Sequence, residues 1–184
     1  MEQVAIIIPP YYNTYITNWN TVVAIERNIS GVIVNGVPLK GKLDKLEFNG
    51  KEINVVDYKT GDIDKAMTKM KPPQENDPNG GDYWRQAVFY KILIDNYAQK
   101  DWKVISTEFD FVEPDKKKSY RKEKIIITAA DTETVKQQIV EVWRKIQNHE
   151  FYTGCGKKNC PWCSFVKDNK LAVALHNIDE EIAD

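Results

Sequence analysis

The sequence predicts a three-layer α/β or α+β domain in which helices flank a central sheet. Residues 21–59 have the pattern of an antiparallel β meander with tight Asn-Gly turns. Residues 83–97 carry an amphipathic helical stripe, and residues 132–148 predict a second helix. Helices packed on such a sheet bury the apolar residues of both kinds of element.

Length and composition favour one folded domain. The chain has 184 residues, and 42% hydrophobic against 29% charged residues argues against bulk disorder. The formal net charge of -1 gives no overall electrostatic indication of nucleic-acid binding, so any basic surface is local. No apolar run approaches the ~20 residues that span a bilayer, and no secretory signal opens the chain. We therefore expect a cytoplasmic protein with no membrane partner.

The first third of the chain predicts an irregular segment followed by four strands. Residues 1–20 contain a loop signal at Pro9-Pro10 and read as the irregular N-terminal segment of a truncated domain. The turns at Asn35-Gly36 and Asn49-Gly50 use residues that tolerate positive φ. The four predicted strands are Val22–Glu26, Gly31–Val34, Val37–Phe48 and Ile53–Lys59.

A Pro- and Gly-rich stretch at residues 61–81 predicts a mobile loop. A helix is expected after it, because apolar residues recur there at helical spacing, at Tyr83, Ala87, Tyr90, Ile94 and Tyr97. Residues 102–112 and 124–128 then read as two strands joined by a lysine-rich turn.

The last long helix is predicted from Thr132 to Asn148, with Asp131 as its N-cap. Its buried face is expected to consist of Val135, Ile139, Val142 and Ile146. A short apolar stretch at residues 171–175 and an acidic tail end the chain.

An Asp-x-Lys motif at the end of the last meander strand carries the predicted chemistry. Period 2 places Asp57 and Lys59 on one face of that strand. The hairpin turn at Asn49-Gly50 is expected to bring Asp44 close to Asp57. Two close carboxylates repel each other unless a divalent cation such as Mg²⁺ joins them, and Lys59 is placed to orient a nucleophile or stabilise charge. The alternative is a surface ion pair, the commoner role of an isolated Asp-x-Lys.

Three further residues extend this site. Gln86 and Tyr90 lie one helical turn apart, where both can contact a phosphate or a base edge. Their alternative is an ordinary core tyrosine with a polar neighbour. Glu26 could supply another acidic ligand, and its alternative is an exposed glutamate at a strand end.

A basic run between residues 116 and 124 holds six cations against one anion. Lys117 and Arg121 are its candidate DNA-backbone contacts. The alternative is a solvated hairpin tip.

Three cysteines, Cys155, Cys160 and Cys163, form a C-x4-C-x2-C cluster. An odd number confined to one loop is not a disulfide framework, so metal binding or reduced thiols are favoured.

Four motifs follow one another along the chain. They are Gly-x-Leu-Asp (Gly41–Asp44), Val-Val-Asp-Tyr-Lys-Thr-Gly (Val55–Gly61), Gln-x-x-x-Tyr (Gln86–Tyr90) and the cysteine cluster. In this order they resemble the PD-(D/E)XK nucleases of the RecB type, and most closely the nuclease domain at the C-terminus of bacterial UvrD/Rep-type ATP-dependent helicases. The resemblance spans about residues 22–166. It implies an α/β, restriction-endonuclease-like three-layer domain with a mixed central sheet flanked by helices.

The resemblance also implies roles for single residues. These are Asp44 and Asp57 as ligands of Mg²⁺ or Mn²⁺, the main-chain carbonyl of Tyr58 as a further ligand, Lys59 as the catalytic lysine, and Gln86 with Tyr90 as a helix motif that meets DNA and supports the site. The implied domain covers residues 21–166, including a cysteine loop at 155–163, and residues 167–184 form a C-terminal tail.

Two departures from the family pattern stand out. A helical histidine expected before the first strand is absent, since the two histidines, His149 and His176, come late. Family members with a [4Fe-4S] cluster use a fourth cysteine before the nuclease core. Either His149 completes a Cys₃His zinc site, the fourth cysteine lies outside this chain, or the site is empty; we favour a ligand outside the chain.

The resemblance therefore implies a metal-dependent deoxyribonuclease, expected to be the C-terminal fragment of a helicase-nuclease for DNA repair or recombination. Its partners would be DNA and the helicase domains. The alternative is a catalytically weak or inactive nuclease-fold module that binds DNA or scaffolds a helicase. A small metal or redox protein built on the cysteines is a third class. The sequence has no G-x-x-x-x-G-K-[ST] motif, so any motor activity belongs elsewhere.

Overall fold

The computed structural model describes residues 2–150 and 160–168. Short 3₁₀ turns follow the first two helices, at Ile16–Asn18 and Met67–Met70. The helices and strands are, in chain order, α1 (Glu2–Tyr15), β1 (Val23–Val34), β2 (Val37–Asn49), β3 (Glu52–Lys59), α2 (Ile63–Ala66), α3 (Asp82–Asp95), β4 (Lys103–Phe111), β5 (Lys122–Ile125), α4 (Ala129–Gln147) and α5 (Pro161–Asp168).

The five strands form one mixed sheet in the order β1-β2-β3-β4-β5. β3 and β4 are parallel, and the other neighbouring strands are antiparallel. The crossover from β3 to β4 contains α3, which is the usual way to join parallel strands. α3 packs against one face of the sheet, while α1 contacts the other through Tyr11. The predicted mixed sheet flanked by helices is therefore confirmed.

Both predicted hairpins are confirmed, but the second turn consists of Gly50 and Lys51, because Asn49 still pairs with Glu52. Asn35 and Gly36 have φ of 50° and 80°, as a two-residue hairpin turn with two positive φ angles requires. Gly50 has a φ of 63° in the second turn. The two predicted strands before the first turn are instead one strand, β1. Its register with β2 shifts between Ile29 and Val32. A bulge there lets the strand continue through the residues that separate the two predicted strands.

The prediction that residues 1–20 are irregular is wrong, because α1 occupies most of them. Two prolines lie inside the helix, and each removes a backbone donor. Tyr11, which follows them, is 4% exposed and packs against Tyr15, Tyr58 and Tyr120. This tertiary packing outweighs the local cost of the prolines.

The stretch predicted to be a mobile loop, residues 61–81, is folded. The Asp62 carboxylate accepts a hydrogen bond from the Asp64 amide at the start of α2, and Ile63 is buried. Gly81 packs so closely that an added Cβ would lie 2.1 Å from the Lys69 carbonyl oxygen. The glycine there permits close packing of two chain segments rather than flexibility.

The predicted helix over the 83–97 stripe is α3, whose buried residues include Ala87, Tyr90 and Ile94. β4 and β5 confirm the two strands predicted around the lysine-rich turn, with shorter bounds.

The start of α4 differs from the prediction. The Asp131 amide donates to Thr128 Oγ1, and the Asp131 carboxylate accepts from the Thr128 amide. Thr128 is therefore the N-cap, and Asp131 is the reciprocal partner of a capping box. The chain divides into two compact units, Met1–Ile139 and Val140–Asp184. Val135 is buried in the first unit's core, but Val142 and Ile146 are 56% and 42% exposed, so the predicted buried face of α4 extends too far.

Among the described residues, no helix has both the length and the apolar character needed to cross a membrane. The predicted 171–175 stretch and the acidic tail lie outside the described residues.

Candidate active site

Asp57 lies near the end of β3 and is 4% exposed. Its Oδ1 atom accepts hydrogen bonds from Gln86 Nε2 at 3.0 Å and from the Tyr90 hydroxyl at 2.6 Å. Its Oδ2 atom lies 2.7 Å from Lys59 Nζ. A buried carboxylate requires such partners, and all three come from motif residues.

The Lys59 side chain is also largely buried and has polar partners. Its side chain is 16% exposed, and Nζ also donates to Gln86 Oε1 at 2.8 Å. Aromatic rings surround the ammonium, with the Tyr83 centroid at 4.5 Å and the Phe109 centroid at 5.2 Å. The Asp57–Lys59 pair is therefore not the exposed surface ion pair that an isolated Asp-x-Lys most often forms.

α3 supplies the other half of this network. Gln86 and Tyr90, one turn apart, both reach Asp57, and Gln86 Nε2 also lies 2.6 Å from the Tyr90 hydroxyl oxygen. Burial, and then the hydrogen bond to Asp57, raise the pKa of Tyr90 above its usual value. The Tyr90 hydroxyl therefore stays protonated and acts as a donor.

Asp44 approaches the same strand end from β2. Lys45 pairs with Val56, and continuing that antiparallel register places Asp44 opposite Asp57. The Asp44 Oδ2 atom accepts a hydrogen bond from the Tyr58 amide at 3.1 Å. The strands thus bring Asp44 to the backbone of the Asp57–Lys59 motif, as the hairpin turn predicts.

The donor set at this strand end fits a hard divalent cation. Two carboxylates and main-chain carbonyls are the oxygen ligands that Mg²⁺ and Mn²⁺ prefer. Among the described residues, no group of three or more His, Cys, Asp or Glu side chains is arranged to hold a metal. A cation here would therefore rely on Asp44, Asp57 and non-side-chain ligands.

Glu26 lies on β1, the edge strand next to β2, where its carboxylate forms an ion pair with Lys42. The two side chains are 60% and 57% exposed. Glu26 has a φ of 51°, an uncommon conformation for this residue type. Its described partner is Lys42, and its role as a ligand stays a prediction.

The basic run divides into paired and exposed cations. Arg121 pairs with Glu123, Lys122 lies 2.6 Å from Asp110 Oδ2, and Lys124 lies 3.5 Å from Glu108 Oε2. Lys117 and Lys118 are exposed in the turn between β4 and β5. Lys117 therefore fits a phosphate contact better than Arg121, whose charge is offset by its neighbour.

The cysteine site is described only in part. Cys155 lies outside the described residues, Cys160 precedes α5, and Cys163 lies within it. His149 follows α4 with a φ of 56°. Within the described part of the chain, His149, Cys160 and Cys163 do not form a metal-binding group.

Sequence reasoning missed the aromatic lining of Lys59 and a polar cluster on the opposite face of the sheet. Tyr83 is three residues before Gln86 on α3, a spacing that could have identified it. The other cluster centres on Asp110, which binds Tyr11 and Lys122. Tyr11 and Asp110 are 99 residues apart, and no sequence signal links them.

Two solved structures are similar to this chain at low sequence identity. A "putative exonuclease" from Eubacterium rectale is 14% identical, with a TM-score of 0.56 over 89% of this chain. The chain spans 59% of the length of that protein. The protein SSO0001 is 15% identical, with a TM-score of 0.44 over 80% of this chain and 59% of its own. The first likeness supports the fold, and the second is too low to carry an argument.

No protein with a curated description matches the chain. The family model of the PD-(D/E)XK nuclease superfamily matches residues 11–167, which include the end of α1, the whole sheet and the Asp57–Lys59 site. Nucleases of this superfamily generally use Mg²⁺ or Mn²⁺. The mixed sheet with flanking helices is consistent with its restriction-endonuclease-like fold. The chain therefore belongs to the PD-(D/E)XK nuclease superfamily.

Proposed function

We propose that this chain is a metal-dependent DNA nuclease that hydrolyses phosphodiester bonds with Asp44, Asp57 and Lys59. The observation that carries the proposal is the buried Asp57–Lys59 pair, which Gln86 bridges through both ends of its amide. Replacing a buried ion pair by apolar residues is often neutral or stabilising. The Asp57–Lys59 pair and its hydrogen bonds to Gln86 therefore favour a catalytic role over a stabilising one.

In this proposal Asp44, Asp57 and the Tyr58 carbonyl hold Mg²⁺ or Mn²⁺. When bound, such a cation lowers the pKa of a water and offsets the charge that develops on the phosphate. The oxygen of a water bonds to phosphorus, one ester P–O bond breaks, and the water's protons pass to the leaving oxygen and to solvent. No other reactant is needed.

Lys59 has two tasks in the proposed reaction. Its ammonium orients the attacking water, and it stabilises negative charge as the ester bond breaks. Gln86 and Tyr90 act through Asp57 and Lys59, because their hydrogen bonds fix both side chains. The aromatic rings of Tyr83 and Phe109 limit the motion of the ammonium.

DNA is the proposed substrate. Lys117 and Lys118 are exposed in the loop after β4. This loop lies beside the end of β3, because the Gly61 amide donates to Glu113 Oε1 at 2.7 Å and the Val112 amide donates to the Lys59 carbonyl at 3.0 Å. A strand held by these cations would pass near the Asp57–Lys59 site.

Cleavage of labelled linear and circular DNA tests the proposal. The chain should cut DNA in Mg²⁺ or Mn²⁺ and not in EDTA, and Asp57→Asn should lower the rate by about 10³-fold. Lys91→Met is a matched control, because Lys91 is also 16% exposed and pairs with Asp95 at 2.7 Å. DNA binding without cleavage at any metal concentration would instead support an inactive DNA-binding module.

The helicase association and a role in DNA repair are also proposals, supported by the motif order that resembles RecB-type domains. The cytoplasmic location stays a prediction. Because the sequence lacks a G-x-x-x-x-G-K-[ST] motif, ATP should not alter cleavage by this chain. A metal at Cys155, Cys160 and Cys163, iron–sulfur or zinc, likewise stays a prediction. Metal analysis of the purified chain and of Cys160→Ser tests it.

A further inference from the structure

A second buried carboxylate lies on the face of the sheet opposite to Asp57. Asp110, near the end of β4, is 1% exposed. In the parallel register of β3 and β4 its partner is Tyr58, the residue between Asp57 and Lys59. Adjacent residues of a strand point to opposite faces, so Tyr58 and its partner Asp110 share one face of the sheet, and Asp57 lies on the other.

Asp110 joins α1, β4 and β5. Its Oδ2 atom accepts a hydrogen bond from the Tyr11 hydroxyl at 2.5 Å and lies 2.6 Å from Lys122 Nζ. Its Oδ1 atom is also buried and has no hydrogen-bond partner among the described residues. Burying a carboxylate oxygen without a hydrogen-bond partner costs free energy. This cost favours a functional role for Asp110.

Tyr11 connects this carboxylate to Tyr58. The two tyrosine rings meet edge to face with centroids 6.4 Å apart. Tyr11 also packs against Tyr120, at 5.5 Å, in the loop before β5. Burial, and then the hydrogen bond to Asp110, raise the pKa of Tyr11 above its usual value, so its hydroxyl stays a donor.

Tyr58 connects the cluster to the candidate metal site. Its amide donates to Asp44 Oδ2 at 3.1 Å, and its neighbours in the chain are Asp57 and Lys59. A shift of the Tyr58 backbone would therefore move the Asp44 carboxylate relative to the Asp57 carboxylate. A divalent cation with strict geometric demands is sensitive to such a shift.

We propose that Tyr11, Asp110 and Lys122 form a positioning cluster that fixes the Tyr58 backbone from the opposite face and so sets the spacing of the Asp44 and Asp57 carboxylates. The inference rests on the proposed metal-dependent function. None of the three side chains contacts the candidate metal ligands' carboxylates in the described structure, so they act through Tyr58.

The test is Tyr11→Phe, which removes the hydroxyl and keeps the ring. Calorimetry should show Mn²⁺ binding weakened by about 3- to 10-fold, the effect of one hydrogen bond. The Mn²⁺ concentration for half-maximal cleavage should rise by the same factor, with the rate at saturating Mn²⁺ nearly unchanged. In metal-free protein, amide exchange at Tyr58 measured by NMR should become faster.

Tyr97→Phe is the matched control. Tyr97 is 7% exposed and donates its hydroxyl to Gln99 at 2.7 Å. It packs against Trp102 just before β4, at the opposite end of that strand from Asp110. It should alter neither Mn²⁺ binding nor exchange at Tyr58. If Tyr11→Phe does not fold, Asp110→Asn, which keeps the side-chain volume, should give the same shift.

The outcomes separate the two proposals. If the parent chain binds Mn²⁺ and cleaves DNA, but Tyr11→Phe and Asp110→Asn match it in Mn²⁺ affinity and Tyr58 exchange, the positioning inference is overturned alone. If the parent chain binds no Mn²⁺ and cleaves no DNA, the proposed function is overturned, and the positioning role for a metal site is overturned with it.

Discussion

The two faces of the sheet at the end of β3 carry different kinds of polar cluster. On the α3 face, both oxygens of Asp57 are occupied, by Gln86 and Tyr90 on one side and Lys59 on the other. On the α1 face, Asp110 uses one oxygen for two partners, and the other has none among the described residues. The adjoining ends of β3 and β4 therefore carry one buried carboxylate on each face of the sheet.

Two neighbouring strands thus separate the proposed chemistry, on one face of the sheet, from the residues that support it on the other face. Asp57 and Lys59 form a closed network of motif residues that can exchange partners with a metal and a substrate. Asp110 lies on the other face, is nearly fully buried and binds two elements that the motif does not include, α1 and β5. Variants of Lys59 and Gln86 on the α3 face should therefore change mainly the rate, and variants of the proposed ligand Asp57 should change both the rate and metal affinity. Variants on the α1 face should change metal affinity.

The largest effect is expected from Lys59→Met. The cleavage rate should fall by about 10²- to 10³-fold, because a preorganised cation is lost. In EDTA the free energy of unfolding should fall by about 3 kcal/mol, since Asp57 is left buried and unpaired. Mn²⁺ should restore part of that stability by replacing the missing positive charge.

Chemical denaturation with and without Mn²⁺, and single-turnover cleavage, measure these changes. Lys91→Met should lower stability without changing the rate. If Lys59→Met cleaves DNA at the parent's rate, Lys59 has no part in the reaction. The expected difference between variants of the two faces would then be absent.

A smaller effect is expected from Gln86→Leu. In the proposed reaction Gln86 supports the site, because it bonds both Lys59 and Asp57. Losing a supporting residue of this kind typically costs 10- to 100-fold in activity or metal affinity, so we expect a loss of about 10-fold or more. Gln138→Leu is a control, because Gln138, on α4, donates to the carbonyl of Asn79 and not to the site. Equal losses from the two variants would contradict the role given to Gln86.

The sequence predicts the α3 face well because its signals are local. Asn35-Gly36 and Asn49-Gly50 fix the hairpins, and period 2 or the helical period sets which residues share a face. Asp57 and Lys59 are two residues apart, and Gln86 and Tyr90 are four apart. Their convergence then needs only the packing of one helix on one sheet.

The α1 face could not be predicted in the same way. Pro9-Pro10 indicates a loop by local rules, and only the packing of Tyr11 against the sheet favours the helix. The contact of Tyr11 with Asp110 joins residues far apart in the chain. Composition likewise could not show that Lys122 is paired with Asp110 while Lys117 is exposed.

The exposed lysines should contribute to affinity rather than to the rate. Replacing both Lys117 and Lys118 by Glu should weaken binding to all DNA sequences alike. The slope of log affinity against log salt concentration should become shallower by about one for each lysine lost as a phosphate contact. Fluorescence anisotropy between low and moderate salt measures the slope. Lys103→Glu, at the start of β4, is a control at the opposite end of that strand from the lysine-rich turn. An unchanged slope would favour a solvated hairpin tip.

The smallest expected effect is a loss of stability at alkaline pH, to which both faces should contribute. Burial first, and then hydrogen bonds to Asp110 and Asp57, raise the pKa values of Tyr11 and Tyr90 in the folded chain. In the unfolded chain a tyrosine has a pKa of about 10. Below that pH both states are protonated and the stabilisation is fully present. Above it the unfolded state releases protons that the folded state retains, so the free energy of unfolding should fall by up to about 1.4 kcal/mol per pH unit for each tyrosine.

Urea denaturation at pH 9, 10 and 11 measures this slope. Tyr90→Phe and Tyr11→Phe should each lower the number of protons released on unfolding at alkaline pH by about one, and so make the slope shallower. If only one of them does, the two clusters are not equally closed to water, and if neither does, neither hydroxyl is held as the structure describes.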